Sequence, residues 1–116
     1  MPPLVTIAET PTFSHRASSI LTEEVIDELK DHLARNPEAG AIVRDSGGVR
    51  KLRWAASGRG KRGGARVIYY YHSLAVPLLL IAVFAKDQKS DLDAKELKAA
   101  QKMAESMAKE ARKRKE

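Results

Sequence analysis

With 116 residues the chain has room for one domain, and its hydrophobic share of 43% suffices for one modest core. Aromatic residues make up only 5%, so that core must be mainly aliphatic, and the absence of cysteine excludes disulfides and thiolate zinc sites and makes a reducing, cytoplasmic setting the expected one. The net charge of +6 suggests an anionic partner, while the first residues lack the basic start and long apolar stretch of a signal peptide. The most apolar run, Leu74 to Ala85, contains Pro77 and falls short of the ~20 residues that span a bilayer, so no membrane association is expected.

In chain order, Leu4 to Ala8 alternates loosely and predicts a first strand, stopped by Glu9-Thr10-Pro11. A short helix is expected over Thr12 to Ser19. Thr22 is a good N-cap, and Val25, Ile26, Leu29 and Leu33 at helical spacing predict a helix from Thr22 to Arg35. Asn36-Pro37 ends it, because a residue before proline avoids the helical region. Ala41 to Val43 is a brief strand candidate. Val49 to Ala55 alternates Val49, Lys51 and Arg53 against Arg50, Leu52 and Trp54, the pattern of a strand. A glycine-rich loop from Ser57 to Gly64 follows, then a tyrosine-rich strand from Ala65 to His72. Leu78 to Ala85 is continuously apolar, as expected of a strand covered on both faces. Asp93 and Glu96 have capping-box spacing ahead of a last helix, whose basic tail over 109–116 is expected to fray. The whole predicts a single α+β domain, a small antiparallel sheet packed by N-terminal helices and a C-terminal helix.

Charge is distributed unevenly. Met1 to Asp45 carries eight acids and four bases. Ser46 to Lys86 carries Arg50, Lys51, Arg53, Arg59, Lys61, Arg62, Arg66 and Lys86 and no acid at all. Ordinary surfaces intersperse both signs to limit self-repulsion, so this stretch calls for an anionic partner. Strand cations are held rigidly and loop cations can move, which suits a polyanion that must be gripped. Glycines let a loop backbone approach phosphate closely, and tyrosines offer faces on which unpaired bases stack.

The runs Gly47-Gly48-Val49-Arg50-Lys51-Leu52-Arg53-Trp54, Gly58-Arg59-Gly60-Lys61-Arg62-Gly63-Gly64-Ala65-Arg66-Val67-Ile68-Tyr69-Tyr70 and Ala85-Lys86-Asp87-Gln88-Lys89-Ser90-Asp91-Leu92 resemble RelE/ParE-superfamily toxins of the HigB branch. The resemblance covers about residues 13 to 100. It implies a RelE-like fold, cleavage of mRNA in the A site of the 70S ribosome, no cofactor, and neutralisation by a HigA-like antitoxin. By the same resemblance Arg66 would brace the scissile phosphate, Lys61 and Arg62 would supply loop cations, and Lys86 and Lys89 fall where related toxins carry basic catalytic residues. Arg50, Lys51, Arg53, Arg59, Tyr70 and His72 are the remaining RNA-binding candidates. The chain departs from the RelE pattern at Asp87 and at Leu92, where an aromatic would be expected; Tyr70 or His72 would have to substitute.

The chemistry stands apart from the resemblance. A ribonuclease that uses the substrate's own 2′-hydroxyl needs a base for that hydroxyl, cations for the charge that grows on phosphorus oxygens, and an acid for the leaving 5′-oxygen. A lysine crowded by other cations can serve as base, and with no clustered carboxylates in the basic zone a magnesium site is not expected. Two other readings stay open on the residues alone: a ParE-like inhibitor of DNA gyrase on the same fold, and an RNA-binding module without catalysis.

Overall fold

The computed structural model describes residues 3–55 and 64–114. Its elements run β1 (Ile7–Glu9), α1 (Pro11–Ile20), α2 (Glu23–Arg35), β2 (Ala41–Ile42), β3 (Arg50–Trp54), β4 (Ala65–Tyr70), β5 (Leu78–Ala85) and α3 (Ala94–Arg114). The five strands form one sheet in the order β1-β5-β4-β3-β2. Neighbours are antiparallel except β1, which pairs with β5 in parallel, so the sheet is mixed rather than wholly antiparallel as the sequence predicted. The first strand is also shorter than expected, because β5 begins at Leu78, opposite Ile7, and the chain turns into α1 at Pro11.

Local chemistry explains the helix starts. Thr10 Oγ1 accepts the Phe13 amide at 3.0 Å, Pro11 occupies the first turn where its missing N–H costs nothing, and Thr22 Oγ1 accepts the Val25 amide at 3.2 Å. At the start of α3 the capping box closes in both directions: Glu96 N donates to Asp93 Oδ1 at 2.8 Å, and Asp93 N donates to Glu96 Oε1 at 2.9 Å. The helix runs to Arg114, with Ala111 buried and Arg114 paired with Glu110 one turn back.

The sheet is covered on both faces. Phe13, Ala17, Leu29 and Leu33 of α1 and α2 pack on Ala65, Val67, Tyr69, Leu78, Leu80 and Val83. On the other face Ala100 and Ala104 of α3 pack on Ile68, Tyr70, Ile81 and Phe84. Small residues on α3 let the helix approach closely. A β-bulge resets which residues of β5 face which side: Ile68 pairs with Ala82 but Tyr69 with Leu80, so Ile81 is the extra residue. Its carbonyl is taken by Thr10 Oγ1 at 2.7 Å. Before the bulge Leu78 and Leu80 face α1 and α2; after it Val83 does, and Phe84 is turned toward α3.

The turn after α2 is fixed by Tyr69. Its buried hydroxyl accepts the Gly40 amide at 2.8 Å and donates to the Pro37 carbonyl at 2.9 Å. Gly40 is required by that approach, since a Cβ there would stand 2.9 Å from the Tyr69 ring and 3.0 Å from the Lys51 carbonyl oxygen.

Glu9 joins β1 to α2 through an ion pair with Lys30. That pair, then a hydrogen bond from Ser14, holds the Glu9 carboxyl below its ordinary value of 4.5. Because the folded pKa is the lower one, the stabilisation is present above the unfolded value and is lost as pH falls through the folded value. Thermal melting from pH 6 down to pH 3 is therefore expected to show a fall in stability that Glu9→Gln flattens. A wild-type and variant loss of equal size would remove Glu9 as the source.

Candidate active site

Three antiparallel strands bring the strand cations to one end of the sheet. Arg53 of β3 lies directly opposite Arg66 of β4, and Arg66 lies opposite Phe84 of β5. Cross-strand partners point to the same side of a sheet. Leu52 and Trp54 pack against the α1–α2 core, so alternation sends Lys51 and Arg53 to the opposite, α3 face. The helix covers Ile68 and Tyr70 on that face but does not cover Arg53, which is exposed, and leaves Arg66 half-buried. Two like charges directly opposite each other destabilise a sheet. Among the described residues no carboxylate lies within ion-pair distance of either arginine, and Arg66 donates only a long 3.4 Å bond to the Ala65 carbonyl. A planar guanidinium fork of this kind is suited to a two-point contact with an anion.

The end of β5 adds more cations. Lys86 N donates to the Gly64 carbonyl at 3.0 Å, which extends the β4–β5 ladder and sets the exposed Lys86 side chain two residues beyond Phe84. Lys89 places its ammonium 5.8 Å from the Phe84 ring centroid and pairs with Glu96. Lys51 Nζ reaches Asp91 Oδ1 at 3.1 Å. The Leu92 amide, then Lys51, holds the Asp91 carboxyl below the usual range, with a smaller contribution from the charge of Lys86. Beside these groups a crevice of about 120 Å³ opens between α1 and α3, lined by Phe84, Leu92, Ala100 and Met103 with Arg16 and Glu96.

Arg66, Arg53, Lys86 and Lys89 are thus brought together, with Lys51 at their margin. Arg50 is not among them: it faces the other side, where its Nη1 donates to the Gly40 carbonyl at 2.7 Å and braces the turn after α2. Tyr70 closes the far end of β4, about 13 Å from Arg66 at the rise of a strand, and His72 lies beyond it, past the strand's end. Tyr70 is buried, and burial pushes its phenol up, so it stays protonated. His72 is exposed and bonds Ser73. Neither stands where an aromatic after Lys89 would. Arg59, Lys61 and Arg62 lie outside the described residues. Sequence reasoning took Phe84 only as core and Glu96 only as a cap; the seven-residue separation of Lys89 and Glu96 carries no local signal, since no single helix contains both.

The fold and this face define a small α+β protein whose sheet, flanked by helices, carries two facing arginines with no carboxylate partner among the described residues. The family model for the RelE toxin of the RelE/RelB toxin–antitoxin system matches residues 12–115. The chain belongs to this family of toxins, and membership implies an antitoxin partner.

Proposed function

We propose that the protein is a ribosome-dependent mRNA endonuclease of the HigB type, acting in the cytoplasm and held in check by a HigA-like antitoxin. The single observation that supports this best is the Arg53–Arg66 pair, opposed across two strands with no carboxylate beside it among the described residues. A sheet that tolerates this repulsion gains from it when a phosphate sits between the two guanidinium groups.

In this reading the substrate's 2′-oxygen attacks the adjacent phosphorus, the bond from phosphorus to the 5′-oxygen breaks, and a 2′,3′-cyclic phosphate and a 5′-hydroxyl result. The 2′-hydroxyl proton goes to a base, and the leaving oxygen takes a proton from an acid. Arg66 and Arg53 hold the non-bridging oxygens, whose charge grows as the fifth bond forms. Lys86 is the candidate to exchange a proton or add charge, Lys89 adds fixed charge, and Lys61 is a further candidate cation by the resemblance. Lys51 and Arg62 contact phosphates farther along the strand.

Expression without the antitoxin is expected to arrest growth, and co-expression of the neighbouring reading frame to relieve the arrest. Primer extension on mRNA from arrested cells then decides the activity. Cuts phased to codons, absent when purified protein meets naked RNA, are the expected result. Intact mRNA with induction of the DNA-damage response would instead point to gyrase, and intact mRNA on protein-bound ribosomes to an RNA-binding module.

A further inference from the structure

We infer that Glu96 is a positioning residue that acts through Lys89, fixing its ammonium beside the arginine pair; this rests on the mRNA-cleavage reading above. One carboxylate does two things. Glu96 Oε1 accepts the Asp93 amide at 2.9 Å, which closes the cap of α3, and it also holds the Lys89 ammonium. Lys89 in turn lies over Phe84, at 5.8 Å from the ring centroid, and Phe84 is the cross-strand partner of Arg66. Glu96, Lys89 and Phe84 therefore link the first turn of α3 to the strand position directly opposite Arg66. A lysine side chain on its own samples many rotamers. Here the ring restrains it from below and the carboxylate from the side, with both partners only about a third exposed (27% and 32%).

The other ion pair of this connection shows the contrast. Asp91, which holds Lys51, is 60% exposed. An exposed pair of that kind contributes little to order. Glu96 is fixed by its own backbone, its cap and the crevice it lines with Phe84 and Leu92. The carboxylate holds the Lys89 ammonium in place, so that Lys89 supplies its charge at a set position.

Glutamine closes a capping box as glutamate does but carries no charge, so Glu96→Gln separates the cap from the ion pair. The experiment is single-turnover cleavage on programmed ribosomes with wild type, Glu96→Gln, Lys89→Met and the double variant, alongside thermal melting and ribosome affinity. The expected result for Glu96→Gln is a loss of roughly ten- to a hundredfold in cleavage rate, the effect of misplacing a group by about 1 Å. Melting should stay close to wild type, ribosome binding should be kept, and the double variant should cut no more slowly than Lys89→Met alone. An equal loss from Glu96→Gln in the Lys89→Met background would overturn the inference, since the effect would then not pass through Lys89. So would wild-type or faster cleavage by Glu96→Gln. If the wild-type protein leaves mRNA intact on ribosomes, the functional reading itself falls, and with it the role assigned to Glu96.

Discussion

Replacing Arg66 by alanine is expected to lower the single-turnover cleavage rate on programmed ribosomes by ~10²–10³, equivalent to ~2.7–4 kcal/mol of transition-state stabilisation. The physical reason lies in where the side chain is held. Arg66 sits within β4, flanked on both sides by paired strands, so its guanidinium is presented by the most rigid part of the sheet. Its charge is not neutralised by any carboxylate among the described residues. The variant should remain folded, because among the described residues Arg66 makes only one weak internal hydrogen bond and its loss relieves repulsion with Arg53. It should also still bind ribosomes, because peripheral phosphate contacts supply most of the affinity and its salt dependence. Melting temperature and ribosome affinity near wild type, with cleavage and growth arrest lost, are the pattern to look for. Cleavage at the wild-type rate would take the phosphate-bracing role away from Arg66 and turn attention to Lys86 and Lys89. Lys61→Ala should slow cleavage less, since Arg62 is its neighbour in sequence.

Phe13→Ala is expected to produce the opposite pattern. Phe13 is fully buried, at the centre of the cluster that α1 forms with α2 and the sheet. Emptying such a site costs about 3–5 kcal/mol, the lost transfer free energy plus the cavity left behind. Against a domain stability of roughly 5–15 kcal/mol this is a large fraction, and at about 4 °C per kcal/mol the melting temperature should fall by roughly 12–20 °C. Growth arrest should weaken because less folded protein accumulates, while the folded fraction cleaves normally. Phe13→Leu, which keeps most of the apolar volume, should recover most of the melting temperature. A Phe13→Ala protein that melts like wild type would mean that the α1 layer is not part of the cooperative core.

The two variants together separate a site from a scaffold, and they draw on different kinds of information. Local signals in the sequence were enough to predict α2, β3, β4, β5 and α3: Thr22 before Val25, Ile26, Leu29 and Leu33 at helical spacing, Lys51 and Arg53 alternating with Leu52 and Trp54, the tyrosines of β4, the unbroken apolar run of β5, and Asp93 with Glu96. The same alternation separated Lys51 and Arg53 from Arg50. The uneven charge identified the basic middle of the chain as the part to examine. All of this is local, set by residues within a few positions of one another.

What the sequence could not determine depends on partners far away in the chain. The parallel pairing of β1 with β5 joins residues about seventy positions apart, and no local preference encodes its direction. Leu78 to Ala85 is apolar throughout, so it carries no alternation from which to read a face; the bulge at Ile81 decides that Phe84 lies beside Arg66 rather than under α1. Tyr70 and His72 were candidates because they sit near the basic run in sequence, yet a strand separates its two ends in space, and they lie at the end away from Arg66. Arg50 differs from Lys51 by one position and faces the opposite side of the sheet, where the Glu38 and Gly40 carbonyls accept its hydrogen bonds. The sequence by itself determined which residues carry charge and which segments are strands and helices. Only the tertiary structure decided which of those charges share a face, because that depends on strand register and on one extra residue in β5.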